Sequence, residues 1–114
     1  MLKIYHNPRC SKSRQTLQLI KDADVEVEIV EYLKTPPTED ELRDLIASLN
    51  LPIEYLIRKS EEIYKTEYKG KTLTDDEWIK ALVEHPKLLE RPIVVNGDGE
   101  AILGRPPENV GRFL

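Results

Sequence analysis

Apolar and polar positions alternate over Leu2–Tyr5, and the His6-Asn7-Pro8 that follows is a turn signal, so the chain opens on a short strand. From Ser11 the period changes. Thr16, Leu17, Leu19, Ile20 and Ala23 recur at helical spacing, which predicts a helix capped by Ser11 or Ser13. Val25–Tyr32 then alternates again, with Val25, Val27 and Ile29 on one face and Glu26, Glu28 and Val30 on the other. Strand, helix, strand predicts two parallel neighbours joined by a right-handed crossover. Pro36-Pro37 breaks the chain. Thr38-Glu39-Asp40-Glu41 and Thr74-Asp75-Asp76-Glu77 are capping boxes, each followed by an amphipathic run: Leu42, Leu45, Ile46, Leu49 and Trp78, Ile79, Leu82, Val83. A short helix over Ile53–Ile57 follows Pro52. A helical turn and a loop around Gly70 are expected within Lys59–Lys71. Arg91–Val95 and Glu100–Gly104 flank Asn96-Gly97-Asp98-Gly99, which predicts a hairpin with an Asn-Gly-type turn, and Pro106-Pro107 opens a last helical segment.

The order β-α-β, several helices, β-β, α is that of a thioredoxin-like α/β fold: a mixed four-stranded sheet with a helical insertion between strands two and three. The length of 114 residues supports one such core, so residues 1–114 are expected to form one domain. The net charge of −4 and a pI near 5.3 argue against nucleic acid as a partner. No apolar run approaches the roughly 20 residues of a membrane span. The polar start and the single cysteine point to a cytoplasmic, reducing compartment.

Charge is unevenly placed. Lys3, Arg9, Lys12, Arg14 and Lys21 lie in the first 21 residues, which hold no acidic side chain and contain the sole cysteine, Cys10. One cysteine excludes an internal disulfide and a multi-thiolate metal site. A lone cysteine is ordinarily a small buried hydrophobe. At a strand-to-helix junction among cations, however, a thiol feels unpaired helix amides and positive charge, and both favour the nucleophilic thiolate. Ser13 stands where a Cys-x-x-Cys motif has its second thiol, so any redox cycle through Cys10 needs an external thiol. The Ser13 hydroxyl suits either a thiolate cradle or a helix start, and His6 either hydrogen-bonds near Cys10 or ends the strand. Arg58, Arg91 and Arg105 are candidate oxyanion ligands, because guanidinium forks match a tetrahedral anion. Pro92 is a candidate cis proline beside them. Trp78 reads as core, His85 as a helix end, and the acidic clusters as helix N-terminal charge.

These segments resemble the glutaredoxin-coupled arsenate reductases, a branch of the thioredoxin-like proteins. The resemblance is carried by Ile4–Arg14, Glu31–Thr38, Leu56–Lys59, His85-Pro86, Arg91–Val95 and Gly104–Pro106. It implies that Cys10 is the nucleophile, that Arg58, Arg91 and Arg105 bind the oxyanion, that His6 supports thiolate formation and that the bond before Pro92 is cis. It implies arsenate as substrate, no bound cofactor, glutathione as co-substrate and glutaredoxin as partner. Two departures stand out: the chain ends soon after Arg105, where better-known members carry a longer tail, and Ser11-Lys12-Ser13 replaces a smaller Gly-Thr-Ser run. Two other readings compete. A general glutathione-dependent thiol oxidoreductase needs Cys10 but not three arginines, and the family's polymerase-binding regulators use a Cys-x-x-Cys switch that Ser13 removes.

Overall fold

The computed structural model describes residues 1–114. Its strands are β1 (Leu2–Tyr5), β2 (Val27–Val30), β3 (Ile93–Val95) and β4 (Ala101–Leu103), and its α-helices are α1 (Ser11–Asp22), α2 (Glu39–Leu49) and α3 (Asp75–Glu84). The sheet order is β2-β1-β3-β4, with β1 and β2 parallel and the other pairs antiparallel. This is the expected thioredoxin-like arrangement, with the helices of residues 36–90 inserted between β2 and β3. The chain divides into two compact units: Met1–Thr35 with Arg91–Leu114, which holds the sheet, and Pro36–Glu90, which is the insertion.

In the sheet unit, period-2 alternation sends Leu2 and Ile4 of β1, Val94 of β3 and Ile102 of β4 to one face. There they pack with Ile20 of α1 and Val110 of the terminal 3-10 helix, Pro107–Phe113. Strand β2 is shorter than its alternating pattern. Asp24 takes a left-handed conformation just before it, and beyond Val30 the Glu31 carbonyl accepts from the amides of Lys34 and Thr35, turning the chain. Ile29, within β2, is exposed. The hairpin also differs from a two-residue Asn-Gly turn. Gly99, not Gly97, has positive φ (+80°), while Asn96 Oδ1 accepts from the amides of Asp98 and Glu100. The result is a three-residue loop closed between Asn96 and Glu100, in which an Asx turn governs the geometry.

The insertion follows its sequence signals closely. In each capping box the threonine hydroxyl accepts from the amide three residues on, and that glutamate accepts from the threonine amide. Asn50 ends α2 in the left-handed conformation. Ile53–Leu56 forms a 3-10 turn, and the charged stretch from Lys59 to Lys71 contains a π turn over Tyr64–Tyr68. Buried Trp78 lies between Tyr64 and Tyr68, at ring separations of 6.4 and 5.6 Å, and His85 caps the C-terminus of α3. No helix in the structure is long and apolar enough to cross a membrane.

Candidate active site at the β1–α1 junction

Strand β1 ends at Tyr5 and the chain turns through His6–Arg9, where the Cys10 amide donates to the Asn7 carbonyl at 3.0 Å. Cys10 is itself the N-cap of α1: its backbone is extended and its carbonyl accepts from the Arg14 amide at 3.0 Å. This corrects the expectation that Ser11 or Ser13 caps the helix. The Ser13 hydroxyl is taken up elsewhere, accepting from the Asn7 amide at 3.1 Å and lying 2.6 Å from His6 Nδ1. Ser13, His6 and Asn7 are all buried, so this network fixes the loop that carries the thiol.

Cys10 is half-buried and its thiol is held below its ordinary pKa. Burial pushes the value up. It is outweighed by hydrogen bonds from the Ser13 amide, the Arg91 side chain and the Lys12 amide, and then by the Arg91 charge. The amides belong to the first turn of α1, where no intrahelical acceptor exists for them. Activation therefore has a different source from the one the cation-rich segment suggests. Lys12 acts through its backbone; Arg9, Lys12 and Arg14 are exposed, and Arg14 donates to the Pro8 carbonyl at 3.0 Å. His6 is also held below its usual pKa, first by burial and then by Lys21 and Arg14, with Glu31 opposing. Its neutral form is favoured, and its Nδ1 lies against the Ser13 hydroxyl.

Two of the three candidate arginines converge on Cys10. Arg91 is only 9% exposed, and its guanidinium favours the Cys10 thiolate. Burial disfavours its charge, but Tyr32 and Cys10 together raise its pKa. Arg105 Nη1 lies 3.9 Å from Cys10 Sγ and donates to the Arg91 carbonyl at 2.9 Å. The Arg91–Pro92 and Arg105–Pro106 bonds are both cis; nothing in the sequence singled out the second. Behind them, Gly104 fits against Pro92 and Thr16: an added Cβ would stand 2.7 Å from both Pro92 Cγ and Thr16 Oγ1. Arg58 belongs to the insertion, where it contacts Glu90 at 2.5 Å and Glu61 at 3.6 Å. Tyr32 and Asn7 went unassigned from sequence. The only trace of Tyr32 was its position at the end of the alternating run, within a segment that carries the family resemblance.

A β2-β1-β3-β4 mixed sheet with a cysteine at the N-cap of the first helix and a cis proline before the third strand defines a thioredoxin-like protein with a one-cysteine site. The chain belongs to the ArsC family, whose profile matches residues 5–113. Among its relatives, the Uncharacterized protein YfgD of Escherichia coli (strain K12) is 50% identical over 96% of this chain and 92% of its own length. The Arsenate reductase of Neisseria meningitidis (serogroup A, strain Z2491) is 42% identical over 99% of this chain and 97% of its own. The Arsenate reductase of E. coli K12 is 43% identical, with 80% of its length matched. The solved structure of an arsenate reductase from Vibrio cholerae superposes with a TM-score of 0.93 at 45% identity, covering 99% of this chain and 97% of that one.

Proposed function

We propose that this protein reduces arsenate to arsenite, with Cys10 as nucleophile, Arg91, Arg105 and Arg58 as oxyanion ligands, His6 and Ser13 as supports of the thiolate loop, and glutathione and glutaredoxin as external thiols. The observation that carries this reading is the meeting of Arg91 and Arg105 on an activated, half-buried thiol. The names of its relatives supply the substrate.

The guanidiniums draw the anion onto the sulfur and stabilise charge on its oxygens as the bond forms. Cys10 Sγ attacks arsenic, an As–O bond breaks, and the oxygen departs as water after taking protons from solution. A glutathione thiolate then attacks Cys10 Sγ. The S–As electron pair goes to arsenic, which leaves as arsenite, two electrons richer, while the sulfurs form a mixed disulfide. Because Cys10 has no second thiol to resolve that bond, glutaredoxin removes the glutathione and restores the thiol. Arg58 pairs with Glu61 and Glu90 within the insertion, and its role as an anion ligand rests on the family resemblance alone.

The test is arsenate-dependent NADPH oxidation coupled through glutathione, glutaredoxin and glutathione reductase. Native protein should turn over and Cys10→Ser should not; activity surviving in Cys10→Ser would overturn the mechanism. If Cys10 is essential but Arg91 and Arg105 can each be removed without loss, a general thiol oxidoreductase replaces arsenate reduction.

A further inference from the structure

Arg105 reaches the site from the end of a short strand. Its Nη1 lies 3.9 Å from Cys10 Sγ and donates to the Arg91 carbonyl at 2.9 Å, an acceptor that orients the guanidinium without cancelling its charge. A side chain with so many rotamers keeps that aim only if the backbone beneath it is fixed. Strand β4 ends two residues earlier, at Leu103, and although the Gly104 amide donates to the Pro92 carbonyl at 2.9 Å, Pro106 has no amide hydrogen to continue the pairing. A side chain takes over there. Asn109 Nδ2 donates to the Leu103 carbonyl at 3.0 Å and to the Arg105 carbonyl at 3.2 Å. Its two hydrogens match two carbonyls that bracket Gly104, so a single carboxamide sets the path of the chain into Arg105. Asn109 is itself anchored. It lies in the terminal 3-10 helix, where its amide donates to the Pro106 carbonyl at 3.0 Å and the next residue, Val110, is fully buried in the core with Ile4, Ile20 and Val94.

We propose that Asn109 is a positioning residue, whose carboxamide holds the Arg105 backbone so that its guanidinium stays on the Cys10 sulfur and on the anion that arrives there. Where that anion is arsenate, the statement rests on the proposed function; the attraction of a small anion to the sulfur does not. The test is accordingly built on alkylation of Cys10. Iodoacetate and iodoacetamide share a leaving group and only the first is an anion, so the ratio of their rates reads the cationic field at the sulfur separately from the reactivity of the thiolate. Asn109→Ala and Asn109→Leu both remove the donors, and the second keeps nearly the size of the side chain. In each, the ratio should fall about two- to fivefold, the scale of one modest hydrogen bond. The pH midpoint of iodoacetamide alkylation should stay at its native value, because Arg105 is not among the groups that lower the Cys10 pKa. KM for arsenate should rise more than kcat falls.

A double-mutant cycle separates this role from a structural one. In an Arg105→Ala background, Asn109→Ala should change the ratio less than about 1.5-fold, because the group it acts through is gone. An unchanged ratio in the Arg105 protein, or an equal fall in both backgrounds, overturns the proposal. So does a fall accompanied by a shift of the iodoacetamide midpoint, which would mark a general loosening of the site. Asn109 is exposed, so both variants should fold. Should they not, hydrogen exchange of the Asn109 carboxamide in the native protein decides: the two carbonyls should slow it, and exchange at the rate of a free asparagine overturns the proposal. If the native protein turns over no arsenate, the substrate reading fails while the alkylation ratio still decides the role of Asn109.

Discussion

The two units of this chain spend their polar side chains differently. In the insertion, Thr38 and Glu41, Thr74 and Glu77, and Arg58 with Glu61 and Glu90 satisfy one another, so charge and hydrogen-bonding capacity are consumed in holding helices and turns. In the sheet unit, the first-turn amides of α1 and Arg91 converge on one sulfur and lower its pKa, and Arg105 reaches the same atom. One arrangement builds stability from local pairs, and the other builds chemistry from residues up to 95 positions apart.

The sharpest way to break this contrast is to remove one arginine from each unit. Arg91→Ala should reduce kcat/KM for arsenate by roughly a hundredfold or more, the scale of losing an oxyanion donor. It should also move the Cys10 titration upward. Arg58→Ala should leave the thiol titration in place, since Arg58 is not among the groups that lower it. Alkylation kinetics over pH 4–9 read both effects. An upward shift of the titration in Arg58→Ala would erase the distinction.

Next in size is Gly104→Ala. The added methyl meets Pro92 and Thr16 at distances real Cβ atoms do not tolerate, and the neighbours are a ring and a buried helix side chain. Overpacking of this kind costs about 1–3 kcal/mol, which urea unfolding would measure. The strain falls on Pro92 and α1, so Cys10 reactivity should change along with stability. A stable Gly104→Ala protein with native alkylation kinetics would show that this packing does not hold the site.

The same contrast explains what was legible in the sequence. Capping boxes, the strand-helix-strand opening and the helical insertion are written in residues a few positions apart, and they appear where the pattern places them. The site was legible only as a set of candidates. Cys10 stood out because it is unique and lies in an acid-free segment, but the cations beside it in sequence, Arg9, Lys12 and Arg14, are exposed. The charge that lowers its pKa comes from Arg91, brought in by the β1–β3 pairing. Ser13 as a helix cap failed for a similar reason: its hydroxyl answers the Asn7 amide, a demand set by the loop and not by the helix.

His6 supplies a pH test of the sheet unit. Its folded pKa is lowered, so as pH falls the unfolded chain takes up a proton near the usual value of about 6.5 before the folded chain does. Stability should therefore decline as pH drops through that window and level off below the folded value. Cys10 has the same sign at higher pH: its depressed value adds stability above the free thiol pKa that is lost as pH falls through the folded one. Urea midpoints at pH 7.5, 6.5 and 5 should fall in that order, and His6→Gln should flatten the step below pH 6.5. An unaltered slope in His6→Gln would assign the proton uptake elsewhere.

In the insertion, Thr38→Ala and Thr74→Ala should each cost about 1 kcal/mol, the usual value of an N-cap, with Cys10 alkylation unchanged. The smallest effect belongs to Arg43, which reaches Asp76 at 2.9 Å and Glu39 at 3.6 Å. Both carboxylates already sit in first helical turns, Glu39 in α2 and Asp76 in α3, where the helix dipoles stabilise them without Arg43. All three side chains are exposed, so water and salt compete for the contact. Arg43→Ala should leave the urea midpoint within experimental error of the native value, and 0.5 M NaCl should shift both proteins alike. A loss as large as that of Thr38→Ala would mean that this exposed pair holds α2 against α3, and that the insertion too depends on side chains distant in sequence.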